Sequence, residues 1–392
     1  MLNEKIKSKY ENKYLKHLGI KLVVSTDAED RQWDQFVEMH SDPQPEQTSV
    51  WGEIRSNYGW KPVRIYLVKD GLIIGGAQIL EFVIKKVIRI GYICRGPLVL
   101  KGADPSLVLR AIKWLSGKRR LFYLAVSLPY FSESMVQEML LAGFQVRPDV
   151  LPPSVWAKAS VIIDLSLDKD LLITNLRSTT RKHVRRSLKR RSLKSRLELI
   201  HGSVEHLIVF KELMRLLCQR RGTSPNLPGD DFIQRLWAAF APRGWIHLLL
   251  LRQDDEFINS LLIFTFGDYA RAWRIGWSGR CSKLYPNDLL YWEAIKWAKD
   301  KGFKYFDVIG IDRRDAEELL NGRDRSEPFH CSITFFKTGL GGKIILLPGE
   351  YCYFPNPILR WCMKHGLSRV LETKGFVKVV RILYQKFFPR AS

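Results

Sequence analysis

The chain has 392 residues, 46% of them hydrophobic and 12% aromatic, enough apolar surface for two packed cores and too much for a disordered chain. Its 63 Lys and Arg against 40 Asp and Glu leave a net charge of +23, which favours polyanionic partners: nucleic acid, a nucleotide-linked precursor or an anionic membrane face. Its six cysteines include no C-x-x-C pair and no neighbouring histidines at zinc-finger spacing, so neither a disulfide scaffold nor a metal site is expected.

The leader Met1–Tyr14 alternates Lys and Glu and has no apolar segment of the kind a signal peptide carries. Nowhere do about 18 uncharged apolar residues run together, so no membrane-spanning helix is expected. The expectation is a cytoplasmic monomer, with peripheral contact at the inner membrane face.

After the leader (1–19), Lys21–Ser25 reads as a strand and Asp27–Met39 as a helix with Trp33, Phe36 and Val37 on one face. A short helix is predicted around Trp51–Asn57. Then come strands at Pro62–Lys69, Leu72–Val87 and Ile88–Tyr92, the first two joined by Asp70-Gly71, a hairpin signal. Helices Pro105–Gly117 and Ser132–Ala142 flank a strand at Arg120–Leu128. This is a first mixed domain, 20–155, closed by Pro152-Pro153.

The same order recurs over 156–348. A strand at Ser160–Leu165, a basic helix to about Arg191 and a strand at Leu197–His201 come first, followed by helices Val204–Arg220 and Asp231–Phe240. Strands Trp245–Leu251, Phe257–Phe266 and Tyr269–Trp277 precede the helix Asp288–Lys301 and the strand Tyr305–Ile309. The fold class is therefore α/β (α+β), a duplicated mixed sheet flanked by helices. In the tail, 349–392, Phe376, Val379, Val380, Leu383 and Phe387 share one helical face beside Lys374, Lys378, Arg381 and Lys386, a basic amphipathic helix.

The stretch Arg177–Arg196 (RSTTRKHVRRSLKRRSLKSR) has ten Lys or Arg in twenty residues and no acid. On a helix Arg181, Arg185 and Lys189 form one row and Lys182, Arg186 and Arg190 the next. Like charges at that spacing repel by roughly 0.2–0.5 kcal/mol per pair, so an anion that neutralises them stabilises the helix. Phosphate suits the planar fork of Arg. No G-x-S-x-G elbow, H-E-x-x-H pair or P-loop occurs. Gln219-Arg-Arg-Gly-Thr-Ser224 approaches the Q/R-x-x-G-x-G/A pyrophosphate loop of acetyl-CoA users, but it ends in Ser and follows a helix.

Several runs then resemble one family in its order. They are Gln47-Thr-Ser-Val-Trp51, Tyr58-Gly59-Trp60, Tyr92-Ile-Cys-Arg-Gly-Pro97, Leu289–Gly310 (LLYWEAIKWAKDKGFKYFDVIG), Phe335-Phe336-Lys337 and Gly341-Gly342. Over roughly residues 20–345 they resemble the FemAB family of the GNAT superfamily, which adds amino acids to the peptide of peptidoglycan precursors from aminoacyl-tRNA. The resemblance implies two tandem GNAT-like domains and a peptidoglycan interpeptide-bridge type of aminoacyltransferase forming an amide bond. It implies a catalytic group of Lys337, Phe336 and Asp307: Phe336 against the donor end, Lys337 stabilising charge at the acyl centre. It implies that Arg181 and Arg185 hold a precursor diphosphate and that Trp51, Arg55, Tyr58 and Trp292 contribute to substrate binding. No cofactor is implied, because the donor, aminoacyl-tRNA or acyl-CoA, is a co-substrate. Relatives that bind the nucleotide-linked precursor have an acid three residues past the Arg-Gly-Pro proline, where this chain has Leu100, so a different acceptor is expected. The alternatives are an acyl-CoA-dependent GNAT N-acyltransferase and a non-catalytic RNA- or membrane-binding protein on the same fold.

Overall fold

The computed structural model describes residues 15, 17–148, 151, 158–192, 197–323, 329 and 332–367, with the backbone alone at 190–192, 366 and 367. Residues 1–14 of the leader, Pro152-Pro153 and the tail helix expected around Phe376 lie outside the described residues. The chain divides into two units, Met1–Val155 with Leu347–Arg390, and Trp156–Leu346 with the last two residues.

The first unit's sheet begins with four antiparallel strands, β1 (Ile20–Ser25), β2 (Lys61–Lys69), β3 (Leu72–Ile84) and β4 (Ile88–Ile93), with β5 (Leu98–Val99) against β3. Asp70 and Gly71 join β2 to β3 at φ 49° and 80°, the left-handed pair that a tight two-residue turn requires. Strand β6 (Tyr123–Ser127) runs parallel to β4, and β7 (Gln145–Val146) completes the row through a strand from the far end of the chain, β15 (Glu350–Tyr353). Val63, Ile65, Leu67, Ile79, Leu124 and Val126, alternate residues of their strands, pack with Leu107, Val108 and Ile112 of the helix Pro105–Lys118. Sequence assigned 349–392 to a helical tail. Residues 350–353 instead form this strand, because Tyr351 and Tyr353 bury their rings in the first core.

The second unit repeats the plan. Strands β9 (Leu197–His201), β10 (Ile246–Gln253), β11 (Glu256–Phe266) and β12 (Tyr269–Trp277) form an antiparallel meander, and β13 (Tyr305–Asp307) lies parallel to β12. Beyond β13 come β8 (Ala159–Asp164) and β14 (Lys343–Leu346), both antiparallel to their neighbours. The helix Pro286–Asp300 buries Leu289, Leu290, Trp292, Ala294 and Ile295 against the sheet. Opposite, the helix Leu207–Arg220 lies so close to β12 that a Cβ on Gly276 would meet the Met214 amide nitrogen at 2.6 Å, so only glycine fits there. Among the described residues, no helix is long and apolar enough to cross a membrane.

Candidate active site

In the second unit β12 and β13 are paired only from Tyr269 to Arg271, opposite Tyr305 to Asp307. Beyond that point β12 continues to Trp277 while the other chain turns away, and a cavity of about 740 Å³ opens between Ala272–Ile275 and Ile309–Arg313. A β-bulge contributes to this parting. Leu262 pairs with Arg274 and Ile263 with Ala272, so Trp273 is an extra residue that bends β12.

Asp307 fixes the other lip. It is fully buried, its Oδ1 accepts from Ser160 Oγ and, at 2.8 Å, from the Ile309 amide, and Arg271 Nε stands 3.8 Å from Oδ2. Ile309 is thereby held at φ 44°, a left-handed conformation that a β-branched residue adopts only under constraint. The carbonyls of Ile309 and Gly310 both accept from Lys337 Nζ, the second at 2.9 Å. Lys337 and Phe336 line the cavity from the helix Ser332–Thr338, with the Phe336 ring edge-on to Tyr291 at 5.3 Å.

That helix is tied to the start of the basic one. Arg177 donates to the Phe335 carbonyl (2.7 Å) and to Thr338 Oγ1 (2.9 Å), and its guanidinium lies 3.9 Å from the Phe335 ring centre. The basic helix, Ser178–Ser192, is anchored by buried Val184, by Ser187 Oγ donating to the Leu284 carbonyl, and by His183 stacked on Tyr285 at 3.7 Å. Arg185, Lys182 and Lys189 are exposed. Arg181 is half-buried and spends Nη1 on the Thr174 carbonyl at 2.6 Å.

The residues proposed from sequence therefore separate. Lys337 and Phe336 meet in one cavity, and Asp307 is buried behind it and does not line it. Trp292 is 4% exposed and belongs to the hydrophobic core; Asn287 and Tyr291, four apart on the same helix, line the cavity in its stead. Arg181 and Arg185 do not line it. Trp51 is buried in the first unit on the helix Ser49–Ser56, Arg55 stands 5.5 Å over the Trp60 ring, and Tyr58 is half-buried.

The near-match to a pyrophosphate loop is a helix C-terminus. The amides of Arg221, Gly222 and Thr223 donate to Leu217, Gln219 and Cys218 carbonyls, so they are not free to cradle phosphate. The same segment nonetheless supplies cavity wall through Arg221, Thr223 and Ser224. The other residues that sequence did not select are Arg274, Asn287 and Tyr291; Asn287 Oδ1 accepts from buried Asn259 Nδ2 at 2.8 Å. Burial pushes the Tyr291 phenol well up, so it stays protonated. Among the described residues no group of three metal-ligating side chains occurs.

Residues 175–317 match the family described as the acetyltransferase (GNAT) domain. The fold is similar to the crystal structure of FemX, with a TM-score of 0.69 at 17% identity over 88% of this chain and 100% of the other. It is also similar to a tandem GNAT protein from the clavulanic acid biosynthesis pathway, TM-score 0.50 at 11% identity over 86% and 99%. A third likeness is to L-PGS from Bacillus licheniformis, TM-score 0.43 at 13% identity over 85% and 98%. No curated protein matches the sequence. At these identities the first two likenesses are of fold: two GNAT-like units in tandem.

Proposed function

We propose that this chain, a FemAB-like member of the GNAT N-acyltransferases, moves an aminoacyl group from an ester donor onto an amine of an anionic cell-wall or cell-surface polysaccharide precursor. The observation that carries the reading is the Lys337 ammonium at the cavity wall, bonded to the Ile309 and Gly310 carbonyls. In ester aminolysis the amine attacks the carbonyl carbon and the π pair moves onto oxygen. The bond to the leaving alcohol then breaks, and the amine's proton passes to that alcohol's oxygen. A cation fixed beside the cavity lowers the energy of the oxyanion stage, an effect worth roughly 10²–10³ in rate. Phe336, braced by Tyr291, gives the donor end an apolar face.

The donor is aminoacyl-tRNA in this reading. The amides of Arg221 to Thr223 are already bonded to helix carbonyls, which argues against a coenzyme pyrophosphate there. The exposed Lys182, Arg185 and Lys189 suit a precursor diphosphate or a tRNA backbone. No cofactor takes part.

The test is to incubate the purified protein with charged tRNA or acyl-CoA, each with candidate precursors, and to identify the product by mass. Lys337→Met is expected to lower turnover by about 10²–10³, with the folded state checked by thermal melting. Unchanged turnover would sink the assignment of Lys337, and product from acyl-CoA alone would replace the donor.

A further inference from the structure

Arg274 lies just past the Trp273 bulge, and a bulge re-aims the side chains that follow it. It contributes to the cavity wall together with Ala272, Trp273 and Ile275. Its surroundings do not neutralise it. One donor, Nη2, reaches the Asn226 carbonyl at 3.2 Å, while Nε is shut off from solvent and meets no acceptor. The guanidinium stands 5.1 Å from the centre of the Trp273 ring. Among the described residues no carboxylate forms an ion pair with it. Burial pushes its pKa down, offset only by the Cys218 thiol.

Arg271 and Arg323 of this unit are answered by acids. Arg271 stands 3.8 Å from Asp307, and Arg323 pairs with Asp315 at 3.5 Å and with Glu318. Arg274 is half-buried with only its Nε shut off from solvent, and a partly desolvated guanidinium without an anion is unfavourable, unless a ligand completes it. Lys337 stands at the other end of the cavity wall, its ammonium bonded to the Ile309 and Gly310 carbonyls.

We propose that Arg274 anchors an oxyanion group, a carboxylate or a phosphate, on the substrate that enters this cavity. The planar fork takes two oxygens side by side, and Arg221, exposed on the same wall, adds to the positive face. The substrate is then held at two points, its anion at Arg274 and its reacting carbonyl near Lys337. The assignment to a substrate rests on the acyl-transfer reading; the binding of an oxyanion does not.

Solution NMR of the Arg Nε–Hε pairs of the full chain tests this. The probes are an N-acetylated dipeptide with a free carboxylate, its C-terminal amide, and inorganic phosphate. One resonance, assigned by its loss in Arg274→Gln, is expected to shift with the free carboxylate or with phosphate and to stay still with the amide. Arg274→Lys keeps the charge and assigns the peak if the Gln variant does not fold. A shift with the peptide marks a carboxylate source, and one with phosphate a phosphate source. No shift with either, or an equal shift with the amide, overturns the proposal. In the transfer assay Arg274→Gln should raise KM for one substrate by about tenfold to a hundredfold with kcat little changed, and Arg274→Lys should recover part of it. A fall in kcat alone overturns the anchoring role. A complete absence of transfer in the unaltered protein overturns the acyl-transfer reading and leaves the NMR result standing.

Discussion

The two units share a strand plan and part company at the end of the parallel pair. In the first unit β4 pairs with β6 from Ile90 to Ile93, which is where β4 stops. The gap beyond is filled. Gln47, fully buried, donates to the Cys94 carbonyl at 2.6 Å and accepts from the Gln78 amide at 2.7 Å, while Arg95 N donates to Ser127 Oγ at 3.0 Å. Burial pushes the Cys94 thiol up to about 12, so it is inert at neutral pH. In the second unit the pair parts after Arg271, a bulge bends β12, and a constrained Ile309 turns the other chain away. One topology thus yields a strand end bridged by neutral hydrogen bonds or one held apart beside a cavity by a buried ion pair.

The sharpest way to break that contrast is Asp307→Asn. It leaves Arg271, 4% exposed, without its countercharge, and removing one partner of a buried pair costs about 3–5 kcal/mol. Denaturant unfolding of the full chain should show the loss. A cost under about 1 kcal/mol would mean that Asp307 does not hold the lip. A stability loss of similar size, without a loss of turnover, is expected at the first unit's strand end. Gln47→Ala strands the Gln78 amide and the Cys94 carbonyl, at about 1–3 kcal/mol for each group, yet kcat of the folded protein should not change. A fall in kcat would show that the first unit takes part in the chemical step.

How far this was legible in the sequence follows the range of the interactions. The Asp70-Gly71 hairpin was readable because the turn residues alone require it. Lys337 and Phe336 were found through their place in a succession of short motifs, not through any local chemistry. Trp292 was misplaced by one step of helical phase, about 100°: both rings are buried in the same core, but only Tyr291, with Asn287, also lines the cavity. The rows of charge in the basic helix were visible, but not the Thr174 carbonyl that occupies Arg181. Strand β15 pairs Glu350 with Ser127, across the whole second unit, and nothing local announces it. Arg274 was one Arg among many until the Trp273 bulge placed it at the cavity.

The smallest predicted effect is a pH dependence at the far edge of the second sheet. On β10, His247 stacks on the Trp297 ring at 4.1 Å and shares a hydrogen bond of 2.9 Å with His201. Burial, with smaller contributions from His201 and Lys301, pushes its pKa from the usual 6.5 down to about 4. The folded form therefore takes its proton later than the unfolded chain does. Stability from this ring is fully present above pH 6.5, falls as pH drops towards 4, and loses nothing further below that. Between pH 6.5 and 5, above the carboxylate range, one such group gives at most about 1.4 kcal/mol per pH unit, and less here because the ring is partly exposed. Urea midpoints across that window measure it, and His247→Gln should flatten the slope. If the unaltered protein is already flat there, the ring is not kept neutral, and a stack of imidazole on indole does not distinguish this edge from the first unit's.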